Sequence, residues 1–322
     1  MSREASLRQG MSDMTSLGIH LAGHAFRIEF DKAASGCPEI IASLFQGFLG
    51  KPEPMATRLR ISSRTNSHPI PLSLTEIEML KEENRLPGEK LTGIPLLRDM
   101  VQDLGLDQKN TVIAGVRGAV LAFQPRSGDG CIVLLNTRRV EELITPLYRL
   151  IFLFLSVILG RSGFFLAHGA AVEMNRGGLV FLGRSGAGKT TLAQQWTRGN
   201  VLSDDAPAIT VGSQGFEVWT SPYSQFDFQK TKAPDRHTLR LPLKRAYFLR
   251  REGECGITPL HTRHALACLI QQIHGLNHVD TSLKKKIYET AHRMSQTIPA
   301  FDIAFAAYSK EASGTLTQII GA

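Results

Sequence analysis

The sequence predicts a mixed-sheet α/β domain (138–322) that follows a smaller α+β domain (1–137). Three observations carry that expectation. Strand-like and helix-like segments interleave through the second half of the chain, as they do where helices cover a sheet. Short hairpin turns, NRGG at Asn175–Gly178 and GSQG at Gly212–Gly215, recur too often for a purely parallel sheet. The first half is strand-rich, and its pattern changes near Thr137.

Taken in order, GIHLAGHAFRIEF (Gly18–Phe30) is rich in β-formers with rough alternation and predicts strands. Pro38–Leu49 reads as a short helix and Thr57–Ser62 as another strand. The polar stretch Ser67–Gln108 carries Pro69, Pro71, Pro87 and Pro95 and reads as loops and short helices. Val112–Phe123 and Cys131–Asn136 then pair around the turn RSGDG. A helix over about Val140–Leu159 leads to strands at Phe164–Met174 and Gly178–Leu182, and a helix follows at Lys189–Thr197. Further on come VLSDD, the hairpin AITV–FEVWT and a strand at Ala246–Arg250. Helices near His261–His274 and Ser282–Gln296, and a last strand around Ile303–Ala306, complete the reading.

With 322 residues, 43% apolar and 20% charged, the chain can bury a sizeable core and is unlike a disordered segment. Its net charge of +8 suits an anionic partner, and phosphate ligands, acidic proteins and nucleic acid all qualify. Cys37, Cys131, Cys255 and Cys268 are scattered without a CxxC pair, which favours a reducing compartment. The charged N-terminus lacks the apolar run of a signal peptide. The most apolar stretch, Leu147–Leu159, is shorter than the roughly 20 residues of a membrane span and reads as a core helix. The expectation is a soluble, cytoplasmic protein.

Residues 183–191 read GRSGAGKTT, matching G-x-x-x-x-G-K-[ST] at every fixed position. Gly183, Gly186 and Gly188 allow backbone angles closed to larger residues, so successive N–H groups of Arg184, Ser185, Ala187 and their neighbours can converge on one anion. Lys189 can reach the β- and γ-phosphates, and the Thr190 hydroxyl can ligate Mg²⁺. Thr191 continues the helix, whose positive end faces the same anion. An apolar strand before the loop and an amphipathic segment after it supply the right context. A nucleoside triphosphate with magnesium is the expected ligand. Magnesium calls for a carboxylate, and Asp204 and Asp205 in VLSDDA come soon after the loop. Adjacent side chains on a strand point to opposite faces, so the pair either caps a turn or, with local twist, shares one pocket.

The order HGAAVEM, GLVFLGRSGAGKTT, VLSDDA resembles the C-terminal kinase domain of HPr kinase/phosphorylase, and more closely the wider group of HPr-kinase-related proteins. Those proteins share a P-loop fold with the ATP-dependent phosphoenolpyruvate carboxykinases, where the sheet is mixed. The resemblance runs from about Phe164 to Leu260 and includes LPLKRAYFLRR and ITPL. It implies ATP as the donor, with Lys189 binding phosphate and Thr190 and Asp205 holding Mg²⁺. It further implies Asp204 as the general base, and His168 as the histidine near the phosphates. The implied activity is transfer of the γ-phosphoryl group to a hydroxyl, a serine of a protein or peptide. After Ala206 this chain reads SPYSQFDFQKTKAPDRH, without the glycine-rich segment tied to phosphorolysis in that family. Forward transfer without efficient phosphorolysis is the expectation.

Other readings stay open: a small-molecule kinase, a carboxykinase-like enzyme, or an ATP-binding scaffold without turnover. Lys230–Arg251 holds eight Lys or Arg against Asp235 alone, and Lys230 or Arg240 is placed to meet a transferred phosphoryl group. His261 with His264, and His274 with His278, have helix-face spacing but no accompanying metal signature. Lys284–Lys286 reads as a solvated helix face, so neither nucleic acid nor membrane is expected as a partner. A homo-oligomer stays open.

Overall fold

The structure is a computed structural model that describes residues 16–31, 34, 36–53, 56–64, 111–116, 119–135, 140–223, 239–250 and 256–304. The Ser67–Gln108 stretch, Lys230 and most of the basic run before Leu239 lie outside the described residues. The chain is a mixed α/β protein dominated by two sheets. Two compact units emerge: residues 1–20, 24–158 and 275–279 in one, and 21–23, 159–274 and 280–322 in the other.

Strands β1 (Ser16–Leu21) and β2 (His24–Phe30) are joined through Ala22 and Gly23, with φ of 52° and 75°. Two successive positive φ values give the hairpin turn whose twist matches the strands. Helix α1 (Cys37–Leu44) carries Pro38 in its first turn, where the missing N–H costs nothing. Strands β3 (Leu49–Gly50), β4 (Thr57–Arg64), β5 (Val112–Val116), β6 (Ala119–Phe123) and β7 (Gly130–Leu135) complete a seven-stranded sheet in the order β3-β1-β2-β4-β7-β6-β5. The β2–β4 and β4–β7 pairings are parallel. The single strand expected over Val112–Phe123 is two antiparallel strands. Each half is apolar, and only Arg117–Gly118 interrupts the run in the sequence.

Helix α2 (Ile144–Arg161) is 18 residues long, longer than the apolar stretch that announced it. By length and composition alone it could cross a membrane, but Leu147, Ile151, Phe154 and Leu155 are packed inside the protein. Phe154 meets Phe123 of β6 edge-on at 5.7 Å. That packing ties most of the helix to the first unit, so the division falls after Ile158, whereas the change in sequence pattern stands near Thr137.

Among its described residues the second unit has nine strands. They are β8 (Phe165–Leu166), β9 (Gly169–Met174), β10 (Gly177–Leu182), β11 (Val201–Ser203), β12 (Ala208–Gly212), β13 (Gly215–Trp219), β14 (Arg240–Arg250), β15 (Gly256–Pro259) and β16 (Ala300–Ala304). The path runs β11-β9-β10-β14-β13-β12-β8, with β16 beside β14 and β15 beside β16. Among the described residues of this unit β10–β14 and β14–β16 are the parallel pairs, so three consecutive strand ends face the same way. Helix α3 (Lys189–Gln194) follows β10, and α4 (Thr262–Ile270) and α5 (Thr281–Thr297) precede β16. Phe181 stacks on Tyr247 at 5.2 Å, and Trp196 fixes the end of α3 by donating its indole N–H to the Glu173 carbonyl at 2.9 Å. Around them Val172, Leu179, Leu192 and Ile303 close the core that supports the loop between β10 and α3.

Candidate functional site

The loop Gly183–Gly188 leaves the buried end of β10 and turns directly into α3. Gly186 and Gly188 sit at φ of 78° and 96°, in the left-handed region where a side chain is strained. Gly183 is required for space, since a Cβ there would stand 2.9 Å from the Leu249 carbonyl of β14. The Ala187 N–H closes a tight turn on the Arg184 carbonyl at 3.0 Å. Helix α3 is six residues long and has no side-chain cap. At Gly183 the packing of the loop against β14, and at Gly186 and Gly188 the positive φ, hold these positions to glycine.

Lys189 is buried, and its ammonium donates to the carbonyls of Gly183 at 2.7 Å and Arg184 at 3.0 Å. Burial lowers its pKa from 10.5 to about 8, against a smaller upward pull from the Asp205 carboxylate. The lysine therefore lies beneath the first half of the loop with Asp205 in electrostatic reach.

Between β8 and β9 the chain changes hydrogen-bond partners at every residue. The Ala167 N–H goes to the Pro207 carbonyl, that of His168 to Gln272 at 2.6 Å, and that of Gly169 to Asp205 at 2.9 Å. The strand expected over Phe164–Met174 is thus interrupted at His168, which lies where the sheet hands over from β12 to β9's neighbours. Its Nε2 is 3.9 Å from Asp205 Oδ1, too far for a hydrogen bond but close for a charge. Burial, and then the Lys189 ammonium, lower its pKa below the ordinary 6.5, while Asp205 and a side-chain hydrogen bond with Gln272 oppose them. Burial thus favours the neutral ring.

The two aspartates follow β11 in a turn organised by Ser203. Its Oγ accepts the Ala206 N–H at 3.1 Å and donates to the Tyr223 carbonyl at 3.0 Å, and Ser221 bonds to it at 3.2 Å. A serine that satisfies the backbone two and three residues on is a common turn-maker. Asp204 is completely buried, whereas Asp205 is 23% exposed on the side of Lys189 and His168. The neighbours occupy different environments within this turn.

Of the residues singled out in the sequence, Gly183, Arg184, Ser185, Gly186, Ala187, Gly188, Lys189, Thr190 and Thr191 form one continuous loop and helix start, with Asp205 and His168 beside Lys189. His274, which the sequence offered only as a helix-face partner of His278, joins them: its ring lies 5.7 Å from that of His168, and burial, His168 and Lys189 lower its pKa to about 4. Gln272 was unannounced. Both follow α4 in a stretch without a motif, and only the tertiary fold brings them to the loop. The helix-face pairings of histidines do not form. His261 is the N-cap of α4 and so precedes the helix that carries His264, and His274 and His278 lie beyond its end. Arg240 is engaged elsewhere, 3.7 Å from Glu217 and over the Trp219 ring.

Among curated proteins none matches the chain. One family model matches, that of the SynChlorMet cassette protein ScmC, over residues 131–313, which is more than half of the chain. The resemblance to HPr-kinase-related proteins is thereby corrected: the matching family is a different one, and no kinase family matches. The motifs that suggested it, a strand–loop–helix for phosphate and an acidic turn, answer a physical need that many families share. The chain belongs to the family of SynChlorMet cassette protein ScmC.

Proposed function

We propose that this protein is an ATP-dependent phosphotransferase with a P-loop kinase fold, moving the γ-phosphoryl group to a hydroxyl, a serine of a protein or peptide. The supporting observation is the gathering of Asp205 and His168 around Lys189 beneath the phosphate-shaped loop. Backbone amides from Arg184 to Thr190 bind the phosphate chain, and Lys189 leaves its own carbonyls to meet the β- and γ-oxygens. Thr190 and Asp205 are the residues that would hold Mg²⁺, which when bound neutralises charge on the phosphates. The acceptor oxygen bonds to the γ-phosphorus as the bond to the bridging oxygen breaks, and ADP departs with that electron pair. Asp204 takes the hydroxyl proton. Because Asp204 has no exposed surface, this part requires the turn after Ser203 to open when the acceptor enters. His168, whose neutral form burial favours, stands beside Asp205.

The test is mass spectrometry of serine-containing peptides incubated with the protein and ATP·Mg²⁺. Phosphorylated peptide, absent with Lys189→Ala, is the expected result. ATP binding without transfer to any acceptor would favour the scaffold reading instead.

A further inference from the structure

The turn that carries Asp204 and Asp205 is held from two sides. On one side the His168 segment binds its carbonyls: the Gly169 N–H donates to Asp205 at 2.9 Å and the Ala167 N–H to Pro207 at 3.2 Å. On the other stands Ser203, the last residue of β11, whose Oγ accepts the N–H groups of Ala206 at 3.1 Å and Asp205 at 3.4 Å. Asp205 is thus bound at both of its backbone groups. Its carboxylate, partly exposed, is left to face Lys189 and His168.

Ser203 is itself held by the chain that leaves β13. Its hydroxyl donates to the Tyr223 carbonyl at 3.0 Å, and the Ser221 hydroxyl donates to Ser203 at 3.2 Å. Ser221 Oγ in turn accepts the Tyr223 N–H at 3.3 Å, so the two serines bind both backbone groups of Tyr223. Ser203, Ser221 and Tyr223 are 3%, 4% and 0% exposed, so bulk water cannot replace a lost hydroxyl there. Sheet pairing does not require this bridge. Strands β9, β10 and β14 lie between β11 and β13, and two serines 18 residues apart make the connection.

We infer that Ser221 is a positioning residue for the magnesium carboxylate: acting through Ser203, it fixes the turn so that Asp205 faces the phosphate loop. This rests on the phosphotransferase reading above and adds to it the support that metal binding needs. A carboxylate oxygen is the hard donor that magnesium takes, and magnesium tolerates little departure from octahedral geometry. A small drift of the turn therefore weakens the metal site. The phosphate loop has separate support, since Lys189 is bonded to Gly183 and Arg184 and Gly183 packs on β14. Binding of nucleotide without metal should not depend on Ser221.

The experiment is calorimetry of ATP, in EDTA and at saturating Mg²⁺, on wild type, Ser221→Ala and Asp280→Ala. The ratio of the two affinities is the gain that magnesium supplies. Loss of one buried hydroxyl donor should lower that ratio roughly 2- to 10-fold in Ser221→Ala, with the affinity in EDTA unchanged. Asp280→Ala, which removes a helix cap away from the site, should keep the wild-type ratio. An unchanged ratio in Ser221→Ala, or an equal fall in both conditions, would overturn the proposal. Hydrogen exchange without nucleotide reads the clamp directly: the Ala206 amide should exchange faster in Ser221→Ala than in Asp280→Ala, and equal rates would overturn the clamp. Should Ser221→Ala not fold, Ser221→Cys, which keeps the shape with a weaker donor, carries the same two outcomes. Absence of ATP binding by the wild type would mark failure of the phosphate site itself, with the exchange rates still deciding the clamp.

Discussion

Lys189 carries the highest stake of any single residue. Its ammonium is buried and already holds two carbonyls, so exchanging them for phosphate oxygens costs little reorganisation. Charge-assisted hydrogen bonds contribute about 1.5–3 kcal/mol, and Lys189→Ala should weaken ATP·Mg²⁺ binding roughly 10- to 150-fold. The lowered pKa adds a pH signature. Burial opposes the charge, so the ammonium persists below about pH 8 and is lost as pH rises through that value. Affinity measured by calorimetry should be level up to about pH 8 and fall above it, and a profile flat to pH 10 would contradict the assignment. The two aspartates should fail differently. Asp205→Asn removes the partly exposed carboxylate near Lys189 and should raise the magnesium requirement. Asp204→Asn should lower turnover by about 10²- to 10⁴-fold while ATP·Mg²⁺ still binds. Titration of magnesium against turnover separates them. A full rate in Asp204→Asn, together with a lost rate in His168→Ala, would transfer the base role to His168.

At the scale of elements, the crossing of β9 with the turn after β11 holds the site together. Gly169 bonds to the Asp205 carbonyl, and a Cβ on Gly169 would stand 2.7 Å from Leu182 Cδ2 and 2.9 Å from the Phe181 carbonyl. Gly169→Ala should therefore displace His168 relative to Asp205, lowering both the melting temperature and the affinity for ATP·Mg²⁺. Helix α5 offers a control away from the site. Asp280 caps it by accepting the Leu283 N–H at 2.9 Å, so Asp280→Ala should cost about 1 kcal/mol and about 2–4 °C of melting temperature with nucleotide affinity unchanged. Much of this was legible in the sequence. The NRGG turn shows its geometry in Asn175 and Arg176 at φ of 51° and 59°, and the glycines of 183–188 announce the loop. The interruption at His168 was not legible, because it arises from backbone partners at Pro207, Gln272 and Asp205 that no local pattern encodes. The same holds for Gln272 and His274, which reach the site only through the packing of the chain after α4.

For the whole molecule, a ligand that binds only the folded state stabilises it by mass action. At a hundred times its Kd, ATP·Mg²⁺ should add about 2.7 kcal/mol, several degrees in thermal unfolding, and EDTA should reverse part of that gain. The mixed α/β class follows from features that sequence can display, namely interleaved elements and recurrent hairpins. The division after Ile158 follows from one helix packing on β6, which composition cannot display. The family followed from neither, since the loop and acidic turn belong to a chemistry wider than any one family. The most direct measurement is titration calorimetry of ATP·Mg²⁺ into the wild-type chain and the Lys189→Ala variant. The wild type should bind one nucleotide, and the variant should bind at least tenfold more weakly with its fold intact. Equal affinity in the two proteins, or no binding by either, would contradict a nucleotide phosphate site at Gly183–Thr190.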